Sequence, residues 1–217
     1  MPNTSDFSRR ALPGQDNYEQ ALKIALKIFG RKDPGRVAQR AGACLDGRSV
    51  VIPHLGREIV LGVDTHRLTI RPFDHEAPTW LAILTLHYLN NADGRIPTGR
   101  LKHFREFKDG LFYEPAFNRR TRDILVQVFG ADPAGIVRGG EKLGGKASEI
   151  GDSAVELRFF PHLPLTCILW QGDKEFPPEA VVLFDETADV FFSAEDMAVA
   201  GQMAILELLK AARSCIL

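Results

Sequence analysis

The chain has 217 residues, 45% of them hydrophobic and 25% charged, enough to bury a good core as one large domain or two tightly packed halves. Its formal net charge of -1 excludes the basic footprint of a nucleic-acid or anionic-membrane binder. The longest apolar stretch, residues 77–89, is too short to span a bilayer, and the polar start lacks the basic and apolar regions of a signal peptide, so a cytoplasmic protein is expected.

Residues 1–15 carry Pro2, Pro13 and Gly14 and read as a flexible arm. From Asp16, a cap residue, the spacing predicts a helix to Phe29 with Tyr18, Leu22, Ala25 and Phe29 on one face and Glu19, Lys23 and Lys27 in a solvated ladder. Gly30 stops it. Asp33 and Pro34 then supply an N-cap and a first-turn proline for a short second helix ending near Gly42. Residues 49–53 and 58–63 are β-branched runs separated by Gly56, hence a hairpin, and a short strand follows over 67–70. A turn over 74–78 opens a helix over 79–90. That helix is apolar on more than one side, with Trp80, Leu81, Ile83, Leu84, Leu86 and Leu89, so it is expected to be buried. These elements form a first half, residues 16–92.

Residues 93–114 form a connector rich in Gly, Arg, Lys and Phe, with a helical turn expected near 103–107 and a role as a lid over a pocket. The second half, 115–217, opens with a helix over 115–129, stopped by Gly130. Residues 123–130 match 23–30 at every apolar position, and Asp132 with Pro133 repeats Asp33 with Pro34 ahead of another short helix. Strands follow over 154–160, 165–170 and 180–184. Ser193 with Asp196 is a capping box for a last helix over 194–212. Pro53-His54-Leu55 is echoed by Pro161-His162-Leu163. The shared order points to an internal duplication. The expected fold is α+β: two related helix–helix–strands–helix halves about a pseudo-two-fold, forming an antiparallel or mixed sheet with packed helices. A ligand would then sit in the cleft between the halves.

Three constellations carry candidate chemistry. Asp173, Glu175 and Asp185 flank a hairpin that would bring their carboxylates to one end of the sheet, to bind a hard cation or act as acid and base; the bland alternative is a solvated turn. His54 and His162, mates under the duplication, would offer two imidazoles to a cofactor or metal, against a simple bend with an exposed ring. The ligand-lining set is His87 and Tyr88 on the buried helix, Arg100, Phe104, Arg105 and Tyr113 on the connector, and Trp170 at a strand end. Their alternatives are core packing and an ordinary amphipathic turn. The loop cluster Asp64, His66, Asp74, His75 and Glu76 has metal-capable side chains without a motif spacing. Cys44, Cys167 and Cys215 are odd in number and far apart, which gives neither a disulfide framework nor CxxC ligation. Gly140 to Lys146 fits GxxxxGK, but Ala147 stands where Ser or Thr belongs, and the segment follows a helix and precedes a strand, so nucleotide hydrolysis is rejected. These residues specify no cofactor.

The run from Leu165 through Trp170, Gly172, Asp173, Glu175, Phe176, Pro177 and Pro178 to Phe184, Asp185 and Ser193 to Ala198 resembles the DUF3786 family, a domain of unknown function. His87, Tyr88, Leu89, Gly99, the Phe104 region and the Phe129, Gly130 stop are similar to its first part. Some relatives resemble fusions to a four-cysteine iron–sulfur module near corrinoid methyltransfer proteins. The resemblance therefore implies anaerobic cofactor or one-carbon metabolism, with a corrinoid or iron–sulfur protein as partner. This chain lacks the module. The function expected is an accessory protein binding a small anionic or tetrapyrrole-like ligand between its halves; the alternatives are a metal-dependent enzyme using the acidic hairpin and a protein interaction module.

Overall fold

The structure, a computed structural model, describes residues 15–214, with side chains from Tyr18 onward. The arm expected over 1–15, apart from Gln15, and the thiol of Cys215 lie outside this description, and Asp16 falls inside the first helix, Gln15–Phe29, rather than at its cap. The first half runs α1 (Gln15–Phe29), α2 (Pro34–Arg40), β1 (Cys44–Asp46), β2 (Ser49–His54), β3 (Arg57–Gly62), β4 (Leu68–Arg71), β5 (His75–Glu76) and α3 (Thr79–Asn91). After β6 (Leu101–His103) and a 3-10 turn at Phe104–Glu106 come α4 (Gly110–Arg120), α5 (Arg122–Phe129), α6 (Ala134–Lys142), β7 (Lys146–Ser148), β8 (Ser153–Phe160), β9 (Leu163–Trp170), β10 (Glu179–Asp185), α7 (Ala188–Phe191) and α8 (Ala194–Arg213).

Local rules account for most of these elements. The Asp33 side chain accepts from the Arg36 N–H at 2.8 Å and caps α2. Ser193 and Asp196 form the reciprocal capping box of α8. On α1, Ala25 and Phe29 are buried while Glu19, Lys23 and Lys27 face water. Helix α3 is buried nearly all round, from Leu81 to Leu89. Among the described residues, no helix is long and apolar enough to cross a membrane.

The expected single sheet is two. One has the order β1-β2-β3-β4-β5, the other β6-β10-β9-β8-β7, and every pairing is antiparallel. Four short strands that sequence periodicity could not reveal, β1, β5, β6 and β7, flank the longer ones and close most of the edges through which the halves could have joined. The halves meet instead through side chains and hairpin tips, and one continuous apolar cluster runs through both. The helix expected over 115–129 is also two helices. It starts earlier, at Gly110, and breaks at Thr121, which is buried with φ -129 and ψ -79 and turns its hydroxyl back on the Phe117 carbonyl at 2.8 Å. Asp132 does not repeat the capping role of Asp33; it pairs with Arg138.

Candidate functional site

The two halves touch where the β2–β3 hairpin turns. Leu55 and Gly56 occupy its centre with φ 44 and 73, the twin positive angles of a type I′ turn. Glycine is needed at 56 for a second reason: a Cβ there would lie 3.0 Å from the Leu143 carbonyl carbon, at the end of α6. Leu55 sits in the left-handed region at a cost of about 1–2 kcal/mol. Burial of its side chain to 3% exposure returns about as much. Its N–H donates to the Arg158 carbonyl at 3.3 Å, tying the tip to β8.

Arg158 faces outward with Glu156 by the alternation of β8, and a β-bulge follows it. The register of β8 on β9 shifts between Arg158 and Phe160, so Phe159 and Phe160 are both buried and the Phe159 carbonyl leaves the ladder. His54, buried at 6% exposure, donates from Nδ1 to that carbonyl at 2.7 Å. Burial lowers its pKa to about 4, against the opposing pull of this hydrogen bond, so the imidazole is neutral at physiological pH.

A cleft of about 620 Å³ opens at this seam, lined from the first half by Pro53 to Glu58, Arg71 and Pro72, and from the second by Leu143, Gly144, Arg158 and Pro161. Three arginines are among its lining residues. Arg57 pairs with Glu207 at 2.7 Å, Arg71 with Glu58 at 3.5 Å and Arg158 with Glu156 at 3.4 Å. Of these carboxylates only Glu58 lines the cleft. A guanidinium carries five N–H donors and one carboxylate takes at most two, so Arg71 and Arg158 in particular keep donors to spare. Burial pushes the Glu207 carboxyl upward, but hydrogen bonding to Lys210 and the charges of Lys210 and Arg57 bring it below its ordinary value, so it stays ionised and neutralises part of the Arg57 charge.

The histidine pair is not brought to a common ligand. His54 is committed to Phe159, whereas His162 lies beside Gly42 and 6.2 Å from the Phe191 ring, and its backbone N–H donates to the Tyr88 hydroxyl at 3.0 Å. Tyr88 is fully buried. Its hydroxyl donates to the Ala41 carbonyl at 2.6 Å, and its ring stacks on Phe160 at 4.6 Å. Burial raises its pKa strongly, so it bolts the halves together as a neutral phenol.

His87 faces α8, where its Nδ1 lies 3.0 Å from Oδ1 of Asp196. The other oxygen of Asp196 accepts from the Ser193 hydroxyl at 3.0 Å. The capping box was legible in sequence, but its partner 109 residues earlier was not. The pair sits in a hollow of about 210 Å³ with Tyr18 and Trp80. The hydrogen bond to Asp196 raises the His87 pKa against the effect of burial. Its contribution to stability is thus fully present below the unfolded value of about 6.5 and lost as pH rises through the raised folded value. Unfolding free energies of the native chain and His87→Gln, measured across pH, are expected to differ most on the acidic side and to converge above neutrality.

The acidic hairpin does not converge. Asp173 is exposed in the β9–β10 turn, where Oδ1 accepts from the N–H groups of Glu175 at 2.7 Å and Phe176 at 2.8 Å; these bonds hold its carboxyl below the ordinary range. Asp185 closes β10 at the opposite end of the strand, about 20 Å along an extended strand of this length. A hairpin brings together residues beside its turn, not the far end of the returning strand. Asp185 is 1% exposed and pins the connector instead, accepting from Gly99 N–H at 2.7 Å and from the hydroxyl of Thr187 at 2.7 Å. Burial pushes its pKa up, but these donors outweigh it and the net direction is down. Among the described residues, no group of three or more His, Cys, Asp or Glu side chains is placed to hold a metal ion.

The connector does not cover the cleft between the halves. Arg100 pairs with Glu186 at 2.8 Å, and Phe104 is buried, stacked on Phe117 at 4.2 Å. Tyr113 is exposed, edge-on to Phe112 at 5.5 Å. Arg105 and Trp170 meet across a separate groove on the second half. The cleft's own arginines, 57, 71 and 158, went unrecognised in sequence because they are scattered over three strands and share no spacing.

Residues 33–207 match the model of a protein family described as a domain of unknown function (DUF3786). No curated protein and no solved structure matches.

Proposed function

The chain belongs to the DUF3786 family, a domain of unknown function, and from the cleft at the seam of its two halves we propose that it binds a small molecule bearing a phosphate or carboxylate group. The observation that carries this reading is the placement of three arginines, drawn from both halves, in the lining of one concave site with a single acidic residue. A volume of about 620 Å³ falls in the range of small-metabolite pockets. Forked N–H donors suit the planar or tetrahedral oxygens of such anions. The lining has no Phe, Tyr or Trp, which favours a small anion over a flat tetrapyrrole that would need stacking partners. In each half an antiparallel meander follows a pair of helices, β1–β5 in the first and β7–β10 in the second, and this supports the internal duplication behind the cleft. The separation of Asp173 from Asp185 speaks against the acidic-hairpin enzyme.

Titration calorimetry at low ionic strength with phosphate, pyrophosphate and citrate tests the reading. Binding is expected for at least one of them, weakened by about 10- to 100-fold in the double variant Arg71→Ala, Arg158→Ala, as lost charge-assisted hydrogen bonds require. It should also weaken with added salt. Absence of binding by all three, or binding unchanged in the double variant, would overturn it.

A further inference from the structure

Part of β10 has no partner on one side. The strand pairs with β9 along Glu179 to Phe184, but with β6 only along Leu183 to Asp185. Strand β6 ends at His103 because Phe104 turns inward to stack on Phe117, and the chain leaves the sheet through the 3-10 turn. Along residues 179–182, therefore, every second residue points its N–H and C=O away from β9. Among the described residues, no backbone group pairs with them there.

This free edge is not walled in. Glu179, Ala180 and Val181 line a groove of about 820 Å³ that shares no residue with the cleft between the halves. Trp170 of β9, Pro177 and Pro178, and from the helices Asn118 and Val126, also line it. Charges nearly balance: Arg122 is paired with its neighbour Asp123 at 2.8 Å, leaving Arg105 against Glu114 and Glu179. The outermost strands β1, β5 and β7 are only two or three residues long, the usual way to blunt an edge. Here an inner strand is left half-paired beside an open groove.

We propose that this groove accepts an extended peptide segment of another protein, which adds to β10 in the line that β6 abandons. About four residues, spanning roughly 14 Å, complete the ladder along 179–182. The guest's main chain supplies the hydrogen bonds. Specificity comes from alternate side chains, an apolar one lying against Trp170 and the two prolines. The balanced charge of the walls selects against strongly acidic or basic segments.

The test uses the full chain as bait for a displayed library of random linear peptides, followed by synthesis of an enriched sequence and fluorescence anisotropy. Replacing single peptide N–H groups by N-methyl is expected to weaken binding by about tenfold or more at alternate residues only, since each such group loses a ladder bond. Hydrogen exchange should show new protection at 179–182, and Trp170→Ala should weaken binding while its melting curve stays native-like. Failure to enrich any peptide, an enriched peptide indifferent to backbone methylation, or protection confined to another surface would overturn the proposal. So would concentration-dependent protection of 179–182 without peptide, which would assign the edge to a second copy of this chain. The backbone-methylation readout leaves the protein unaltered, so a misfolded variant cannot mimic it.

Discussion

Tyr88→Ala is expected to destabilise the fold by about 3–5 kcal/mol, the range for deleting a large aromatic side chain from a packed core. The site has little room to relax. Tyr88 is fully buried, stacked on Phe160 at 4.6 Å and packed 5.0 Å from the Phe191 ring, so a collapse there would pull on both halves. The hydroxyl has its own share, which Tyr88→Phe isolates. That variant leaves the Ala41 carbonyl and the His162 N–H without the partner they share, at a cost of about 1–3 kcal/mol. Urea unfolding of both variants reads the two effects separately. A Phe variant as stable as the native chain would show that the packed ring alone holds the seam.

A fall in stability on mild acidification is the second large effect, and His54 is its cause. The folded chain keeps this imidazole neutral down to about pH 4, while the unfolded chain takes up a proton near 6.5. Between those values the unfolded state binds more protons, so stability is fully present above about 6.5 and is lost as pH falls through the interval. A displacement of this size corresponds to on the order of 3 kcal/mol. The physical origin is desolvation: the ring is enclosed by Phe159 and Phe160 at centroid distances of 4.7 and 5.5 Å, with a backbone carbonyl as its hydrogen-bond partner. The expected result is a stability profile whose acid limb flattens in His54→Gln, even if that variant is less stable at neutral pH. An unchanged acid limb would place the titrating group elsewhere. His87 acts in the opposite sense, since its pairing with Asp196 favours the protonated form.

The chemistry of the cleft follows from how its arginines are held. Arg57, Arg71 and Arg158 each have one carboxylate partner at a partly exposed site, and such pairs contribute little to stability in water. Their placement on hairpin ends, beside a turn with two positive φ angles, sets arginines of both halves around a common space. Removing Arg71 and Arg158 is for this reason expected to affect ligand binding far more than folding.

Periodicity and punctuation were sufficient for the long elements. The 3.6-residue pattern marked α1, α3 and α8, the β-branched runs marked β2, β3, β8, β9 and β10, and Asp33, Gly56 and the Ser193–Asp196 box marked boundaries, because each of these signals acts within a turn or two of chain. The same local physics separated α+β from other fold classes. It could not resolve two- and three-residue edge strands, whose conformation is imposed by a neighbouring strand, nor the break at Thr121, which answers to a buried hydroxyl. The site lay further out of reach. Tyr88 reaches Ala41 and His162 across 47 and 74 residues, His87 reaches Asp196 across 109, and Arg57 reaches Glu207 across 150. Asp173 and Asp185, close in sequence, lie at opposite ends of β10. A side chain's neighbours in space depend on how separate elements pack, and apolar packing is blind to sequence distance, so local pattern could propose the elements while only their assembly chose which polar groups would meet.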